Sequence, residues 1–380
     1  MARGGWRAGW GALAILGSLL AGCSAPLLAP DAEPTPVRAP APSAAQPPVV
    51  SATEAASAQW VPVDWRELPG WGEDDALAAW PALLSSCQRP PPVWREFCAR
   101  AVLQAPGDTT EATLFLMKHL RPWRLQSGGD AAGLLTGYFE PQLVASRVRQ
   151  GAFQWPLHAL PADAALRRTP RAEIEANRRF APLEMAYLDD PVGLLMLQVQ
   201  GSGRLLLRDG AGAERWVRVA YAGHNERAYE SVARLLMDRG ELRDGSWAGL
   251  RDWMRLNPAR VKEVMALNPR VVYFREEALV DALQGPRGAQ GQPLTPARSV
   301  AVDRSVWPLG TPLWLDSTEP LSTRPLRRLV FAQDTGSAIT GAQRADFFWG
   351  WGDEAAQLAG RTRQPLRLWA LWPQGMTPGP

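Results

Sequence analysis

The last part of the chain, from Ser299 to Trp372, is a series of short β-prone runs separated by turn residues. The runs are rich in Val, Leu, Phe and Trp, while Gly, Pro, Asp and Ser stand between them. Many short strands with turn residues between them are typical of a small barrel. The runs are residues 300–302, 312–315, 328–331, 347–349 and 366–372.

Three aspartates stand next to these runs: Asp303, Asp334 and Asp346. A carboxylate among apolar strand residues is costly to bury unless it is hydrogen-bonded or used in chemistry. Burial also raises the pKa of a carboxyl group, so that the group keeps its proton near neutral pH. A protonated carboxyl can donate that proton to a glycosidic oxygen. Taken singly, each aspartate also fits a turn or a cap, and periodicity alone does not show that the three converge.

The region before these runs divides into a helical part and a β-rich part. Apolar residues at helical spacing predict helices over residues 75–87, 92–103 and 109–120, and again over 229–237 and 259–267. Strand-like runs are predicted at residues 134–139, 196–199, 204–207 and 214–222, and the last two are expected to form a hairpin. The chain is therefore predicted to be mainly β with flanking helices, an α+β fold.

The N-terminus has the features of a signal peptide over residues 1–22. Positively charged residues precede an apolar stretch that is too short to span a bilayer and that closes on Leu20-Ala21-Gly22-Cys23. This ending resembles the lipobox of bacterial lipoproteins, which implies that Cys23 is lipidated and anchors the protein to a membrane. Ser24 then favours the outer membrane. An ordinary signal peptide followed by a chance cysteine is the alternative.

Residues 23–58 are rich in Pro, Ala and Ser and are predicted to form an extended tether. The expected location of the remaining chain is the periplasm. Cys87 and Cys98 are the cysteines left after lipidation, and an even pair in an oxidising compartment predicts a disulfide. Two buried free thiols are the alternative.

Composition argues against several classes of function. The formal net charge is only +3 and no dense basic stripe is present, so no nucleic-acid partner is expected. His119, His158 and His224 are scattered without the paired spacing of metal ligands, so we expect no metal and no cofactor. Neither Ser202 nor Ser337 lies in a nucleophile elbow, which argues against a serine hydrolase.

Two sets of motifs carry a resemblance to a known family. The C-terminal set reads Ala301-Val302-Asp303, Gln333-Asp334-Thr335-Gly336 and Ala345-Asp346-Phe347. It resembles the three-aspartate domain, a double-psi β-barrel of cell-wall-active proteins. The upstream set reads Leu135-Thr136-Gly137-Tyr138, Gln198-Val199-Gln200-Gly201-Ser202 and Tyr221-Ala222-Gly223-His224. It is similar to the insert of the membrane-bound lytic murein transglycosylase A family.

The resemblance implies a double-psi β-barrel that is interrupted by a second, inserted β-barrel-like domain, with a groove between the two. The barrel domain and its N-terminal helices are expected at residues 59–141 and 279–376. The inserted β-rich domain is expected at residues 142–278.

The implied activity is cleavage of the β-1,4 bond between N-acetylmuramic acid and N-acetylglucosamine in peptidoglycan, with a 1,6-anhydro product. By resemblance, Asp346 matches the single general acid/base. Asp334 and Asp303 match the other two aspartates and are expected to tune Asp346 or to hold sugar hydroxyls. The substrate-binding residues are expected to be Tyr138, Gln198, Gln200 and Ser202. Thr340 departs from the Lys that related domains often have, which could alter a contact near the acid.

Two other interpretations stay open at this point. A non-catalytic peptidoglycan-binding lipoprotein could have the same fold, although it would not need an acid of raised pKa. A true hydrolase would need another carboxylate to activate water, and Asp334 could supply it. The expected partners are glycan strands and the membrane at Cys23, while proteins of cell-wall synthesis or division are not specified.

Overall fold

The computed structural model describes residues 59–126, 133–174, 177–208 and 214–379. The predicted signal peptide, the lipidation site Cys23 and the tether lie outside these residues. No helix in the described part of the chain is both long and apolar enough to cross a membrane.

Strands form two separate sheets. The first sheet has the order β1-β2-β14-β11-β12-β10-β13-β3 and the second has the order β5-β6-β4-β7-β8-β9. The strands are β1 (Gln59–Pro62), β2 (Leu120–Gln126), β3 (Gly133–Glu140), β4 (Gln142–Ser146), β5 (Trp155–His158), β6 (Glu184–Leu188), β7 (Ser202–Arg208), β8 (Glu214–His224), β9 (Val272–Ala278), β10 (Ser299–Val302), β11 (Pro312–Thr318), β12 (Pro325–Asp334), β13 (Arg344–Trp351) and β14 (Arg363–Pro373).

The first sheet closes on itself. Strand β14 pairs with β11 on one side and with β3 on the other, so β14, β11, β12, β10, β13 and β3 form a ring. Parallel pairs (β10 with β12, β3 with β13) occur among antiparallel ones in this ring. The predicted β-barrel is thereby confirmed, and β1 and β2 extend it as a flap from β14. Large buried side chains such as Trp314, Phe331 and Phe347 belong to the hydrophobic core of this unit.

The second sheet has its own hydrophobic core and lies, in sequence, between β3 and β10. Strands β7 and β8 form the predicted antiparallel pair, with Arg204 opposite Arg218. A single bridge between Ala159 and Phe274 connects the region after β5 to β9, so this sheet is also partly closed. The whole is thus two β units, as expected from the sequence. The domain boundaries themselves stay a prediction.

Helices flank both sheets. They are α1 (Trp80–Ser86), α2 (Arg95–Leu103), α3 (Thr109–His119), α4 (Ala164–Arg167), α5 (Arg171–Ile174), α6 (Pro191–Gln200), α7 (Val232–Asp238), α8 (Trp247–Leu256), α9 (Val261–Ala266) and α10 (Gly352–Arg361). The helices before the barrel pack on its core, and α6 packs with α10 and β3 in a small cluster that joins the two β units through Met196 and Phe139.

The strand predicted at residues 196–199 is wrong, because these residues belong to α6. Residues 192–197 of this helix are all buried, so the helix lacks the amphipathic pattern that distinguishes a helix from a strand in sequence. Its capping signals were present in the sequence. The Asp190 side chain accepts a hydrogen bond from the N–H of Val192 (2.9 Å), and Gly201 ends the helix in the left-handed conformation.

A disulfide joins the end of α1 to α2. The Sγ atoms of Cys87 and Cys98 are bonded and their Cα atoms lie 5.2 Å apart. The bridge closes a short loop beside the barrel core, where Cys98 is buried. It therefore fixes two of the predicted N-terminal helices relative to each other.

Candidate active site

One row of residues crosses four neighbouring barrel strands. Ala301 on β10 is paired with Asp334 on β12 and with Asp346 on β13, and Asp346 is paired in turn with Thr136 on β3. Neighbouring strands lie about 4.8 Å apart, so the Cα atoms of the two aspartates are separated by about 10 Å. The barrel thus brings two of the three predicted aspartates to one place.

The row points away from the barrel core. The residues next to Ala301 and Asp346 along their strands are fully buried: Val300, Val302, Ala345 and Phe347. Because side chains alternate between the two faces of a strand, Asp346 is directed to the opposite face and is only partly buried. Tyr138, two residues after Thr136 on β3, lies on this same face.

A β-bulge places Asp334 in this row. Val300 is paired with Ala332, whereas the next residue, Ala301, is paired with Asp334, so Gln333 is an extra residue in β12. The side chain of Gln333 is buried, and its Nε2 donates to the carbonyl oxygen of Ala82 (3.1 Å). If β12 continued from Ala332 without the bulge, Gln333 would pair with Ala301, and Asp334 would pair with Val302 and face the core.

Asp346 is a carboxyl group whose protonated form is still populated near neutral pH. Burial, with a smaller contribution from the negative charge of Asp334, raises the pKa of Asp346 to about 6. The hydroxyl of Thr136, which donates to Oδ1 of Asp346 (2.5 Å), and the positive charge of Arg344 oppose this rise. With a pKa of about 6, about a tenth of the molecules carry the proton at pH 7.

Asp334 is held by three donors. Its Oδ1 accepts hydrogen bonds from the N–H groups of Ala289 (2.9 Å) and Thr335 (2.9 Å), and its Oδ2 accepts one from the hydroxyl of Tyr138 (3.1 Å). Burial raises the pKa of Asp334, against the effect of these donors. Burial and the two aspartates raise the pKa of Tyr138 well above its usual value, so this phenol remains a donor. The Tyr138 ring packs against Phe348, with centroids 5.2 Å apart.

Asp303 has a different environment from the other two aspartates. Its Oδ1 accepts hydrogen bonds from the N–H (2.9 Å) and the hydroxyl (2.6 Å) of Ser305, and its Oδ2 accepts one from the N–H of Gly341 (2.7 Å). Burial alone would raise the pKa of Asp303, but these hydrogen bonds lower it below its usual value. The carboxylate therefore stays ionised and connects the turn after β10 to the loop before β13.

The predicted residues of the second β unit separate into two groups. Oε1 of Gln200, at the end of α6, accepts a hydrogen bond from the N–H of Phe139 (3.1 Å), beside Tyr138. Gln198 instead accepts from Arg171 and lines a cavity of about 520 Å³ within the second β unit. Ser202 begins β7 opposite Ala220. Within the described residues, neither Gln198 nor Ser202 makes a hydrogen bond to the aspartates.

Sequence reasoning did not single out Thr136 or Arg344, although both lie near Asp346. Thr136 is two residues before Tyr138 and Arg344 is two residues before Asp346. The period of two along a strand was the signal that could have placed each pair on one face.

A buried ionic cluster joins the two β units beside this face. Glu140, at the end of β3, has no solvent exposure and accepts from Nε of Arg204 (2.7 Å) and from Nε of Arg218 (2.6 Å). Both guanidinium groups also donate to the carbonyl oxygen of Gln284, in the segment that returns to the barrel. The guanidinium of Arg204 lies over the ring of Trp351, at 3.9 Å from its centroid. The chain leaves the barrel after Glu140 and returns to it near Gln284. The two arginines thus connect both crossing points to the carboxylate of Glu140.

Two family models match the two β units. The 3D domain matches residues 298–372 and the MltA specific insert domain matches residues 134–275. Together with the carboxylate row on the barrel, this combination defines the chain as an enzyme of the lytic transglycosylase class.

Similar proteins narrow the class to one family. Membrane-bound lytic murein transglycosylase A of Escherichia coli (strain K12) is 34% identical over 279 residues, which are 71% of this chain and 73% of that relative. The protein of the same name from Vibrio cholerae is 31% identical over 308 residues, which are 73% of this chain and 81% of that relative. The chain therefore belongs to the membrane-bound lytic murein transglycosylase A family.

Solved structures agree with this assignment. Lytic transglycosylase LtgG of Burkholderia pseudomallei is 42% identical, with a TM-score of 0.61 over 83% of this chain and 96% of that chain. MltA from Neisseria gonorrhoeae is 30% identical, with a TM-score of 0.74 over 84% of this chain and 94% of that chain. Escherichia coli MltA with bound chitohexaose is 29% identical, with a TM-score of 0.64 over 78% of this chain and 89% of that chain.

Proposed function

We propose that this chain is a lytic transglycosylase that cleaves the β-1,4 bond between N-acetylmuramic acid and N-acetylglucosamine in peptidoglycan. The observation that carries the proposal is Asp346, a partly buried carboxyl with a pKa raised to about 6 on the open face of the barrel. The related proteins are named as murein transglycosylases, and one was solved with chitohexaose, a β-1,4-linked glycan. We place the glycan in the groove between the two β units.

In this mechanism one carboxyl group performs both proton transfers. Protonated Asp346 donates its proton to the glycosidic oxygen as the bond between that oxygen and C1 of muramic acid breaks. The C6 hydroxyl of the same sugar then attacks C1, and its proton passes to the Asp346 carboxylate. The carboxyl is thereby regenerated, the product is a 1,6-anhydro sugar, and no water is consumed.

The other predicted site residues are proposed to support this acid. Asp334 raises the pKa of Asp346 through its charge, and Tyr138 holds Asp334 while presenting its ring to the glycan. Asp303 stays ionised and fixes the loop that precedes β13. Gln200 borders the same face through Phe139, so we propose it as a substrate contact, whereas Gln198 and Ser202 remain predictions from the motif.

The location is part of the proposal. We propose that lipidated Cys23 anchors the protein to the outer membrane from the periplasmic side, and that residues 23–58 span the distance to the cell wall. We also propose that residues 59–141 and 279–376 form the barrel domain and residues 142–278 the inserted domain. What supports this division is that the strands of the second sheet all lie between Gln142 and Ala278.

The hydrolase alternative rests on Asp334, the second carboxyl of the row. It would have to be ionised and near a water to act as a base, as in inverting glycosidases. Its oxygens already accept hydrogen bonds from three donors, which leave little room for a water molecule and make Asp334 a poor candidate for the base. The mass of the product distinguishes the two reactions.

The decisive experiment is mass spectrometry of the muropeptides released from purified peptidoglycan by soluble protein that begins after Cys23. We expect wild type to release products one water lighter than hydrolysis products. Asp346→Asn should release roughly 100-fold less or lower still, because a general acid contributes about that much or more. Asp353→Asn, at an exposed position in α10, is the matched control and should behave as wild type.

Two results would contradict the proposal. Muramic acid at full mass with a free reducing end would make the enzyme a hydrolase. Binding of peptidoglycan without release by any of the three proteins would instead favour a non-catalytic binding lipoprotein.

A further inference from the structure

Arg344 shares the face of Asp346 and lies beside it along β13. The two residues are separated by Ala345, which is fully buried, so both side chains are directed away from the barrel core. Arg344 is paired with Leu134 on β3, two residues before the pair of Asp346 with Thr136. The arginine therefore lies next to the acid on the same open surface.

The guanidinium of Arg344 is only partly used by the protein. Its Nη1 donates to the carbonyl oxygens of Ala345 (2.6 Å) and Leu134 (3.3 Å). Its Nε is buried, and the described residues offer it no acceptor. A buried N–H without an acceptor lowers stability, so its presence beside an acid suggests that a ligand supplies the missing oxygen.

The charge around Arg344 favours an anionic or strongly polar oxygen. Burial lowers the pKa of Arg344, the negative charge of Asp346 opposes this change, and the positive charge of Arg363 adds to it. Arg363 lies on β14, paired with Thr136. Asp346 thus has the positive charges of Arg344 and Arg363 on one side and the carboxyl of Asp334 on the other. A negatively charged substituent of a sugar would therefore be favoured on the arginine side only.

We propose that Arg344 determines specificity by binding the lactyl group of N-acetylmuramic acid, an inference that rests on the proposed function. Of the two sugars in peptidoglycan, only muramic acid carries this group, whose carboxyl oxygens are free in bare glycan and form an amide in strands with stem peptides. A guanidinium binds such oxygens through two parallel N–H donors. The contact would place muramic acid, not N-acetylglucosamine, on the C1 side of the bond next to Asp346.

The test compares the binding of two hexasaccharides to protein that cannot turn them over. Isothermal titration calorimetry would use the Asp346→Asn protein with chitohexaose, which lacks lactyl groups, and with a peptide-free hexasaccharide of alternating N-acetylglucosamine and N-acetylmuramic acid. The same measurements would be made after adding Arg344→Met, Arg344→Lys or, as the matched control, Arg361→Met at an exposed position in α10.

We expect the parent protein to prefer the muramic acid hexasaccharide. Arg344→Met should weaken the binding of that ligand about tenfold to a hundredfold, which is the range for a lost charge-assisted hydrogen bond. The affinity for chitohexaose should change by less than about twofold. Arg344→Lys keeps the positive charge but not the two parallel N–H donors, so its affinity for the muramic acid hexasaccharide should lie between those of the parent and of Arg344→Met. Arg361→Met should change the affinity for neither glycan.

Three results would overturn the assignment of Arg344. These are a parent protein without the preference, an equal loss on both glycans, and an Arg344→Met protein that binds both glycans normally. Product analysis of wild type is separate from this comparison. If wild type released no anhydro product but the expected binding difference were found, the proposed reaction would fail while the lactyl contact would stand.

Discussion

The hydroxyl of Thr136 offers a direct test of how the barrel sets the acidity of Asp346. Thr136→Val keeps the shape of the side chain and removes the donor to Oδ1. This hydrogen bond favours the carboxylate and lowers the pKa of Asp346, which burial raises to about 6. A hydrogen bond to a charged group contributes about 1.5 kcal/mol or more, and one pKa unit corresponds to about 1.4 kcal/mol. The pKa should therefore rise by about one unit in the variant.

The pH dependence of the activity should shift to higher pH together with this pKa. Asp346 must be protonated to act as an acid, so kcat/KM should fall as the pH rises through the pKa of the free enzyme. In Thr136→Val this fall should lie about one pH unit higher. The protonated fraction at pH 7 would rise from about a tenth to about a half.

The assay is the release of soluble muropeptides measured from pH 4 to pH 9. The position of the alkaline limb is the readout, because a loss of positioning would lower the maximum without moving the limb. Ser305→Ala, which removes a hydroxyl from Asp303 instead, is the matched control and should leave the limb in place. A limb that stays in place or moves to lower pH in Thr136→Val would refute the reasoning.

Two further predictions concern the free energy of unfolding. Because the pKa of Asp346 is raised from 3.8 to about 6 in the folded protein, its contribution to stability is present below pH 4 and is lost as the pH rises through 6, by up to about 3 kcal/mol. Asp346→Asn, which has no proton to lose, should therefore unfold at higher urea concentration than wild type at pH 8, and at a similar concentration at pH 4. Glu140→Gln should lower the free energy of unfolding by about 3–5 kcal/mol, since it leaves two buried arginines without their anion. Asp238→Asn, which breaks an exposed pair, should cost at most about 0.5 kcal/mol in the same urea titration.

Each of these predictions has a clear counter-result. If Asp346→Asn gave the same difference from wild type at pH 4 and at pH 8, the raised pKa would not contribute to stability. If Glu140→Gln were no more harmful than Asp238→Asn, the buried cluster would not hold the two β units together.

The C-terminal strands could be predicted from sequence because their turn residues separate them clearly. The runs at residues 300–302, 312–315, 328–331, 347–349 and 366–372 all lie within observed strands. Strand β3 was also visible as an apolar run. In contrast, α6 was mistaken in part for a strand, because a helix buried on every side has no polar face to set its period.

The candidate site could be predicted in part only. The resemblance identified the three aspartates. It did not indicate that Asp346 and Asp334 lie in one row across the strands, or that Asp303 stabilises a loop instead. Pairings between strands that are distant in sequence decide this, and a single sequence contains no record of register. Arg344 was missed for a simpler reason: a lone arginine in a strand is usually a solvated residue, and only its buried Nε distinguishes it.

The bulge at Gln333 makes the position of Asp334 a matter of strand register as well as of residue type. Because Gln333 is skipped in the pairing with β10, Asp334 and not Gln333 pairs with Ala301, and its carboxyl faces outward. A β12 strand of the same sequence without the bulge would place Gln333 in the row and turn Asp334 into the barrel interior, opposite Val302. A chain could then keep all three aspartates and still lose the row. When such chains are compared, the pairing of β12 therefore counts as much as the identity of the aspartates.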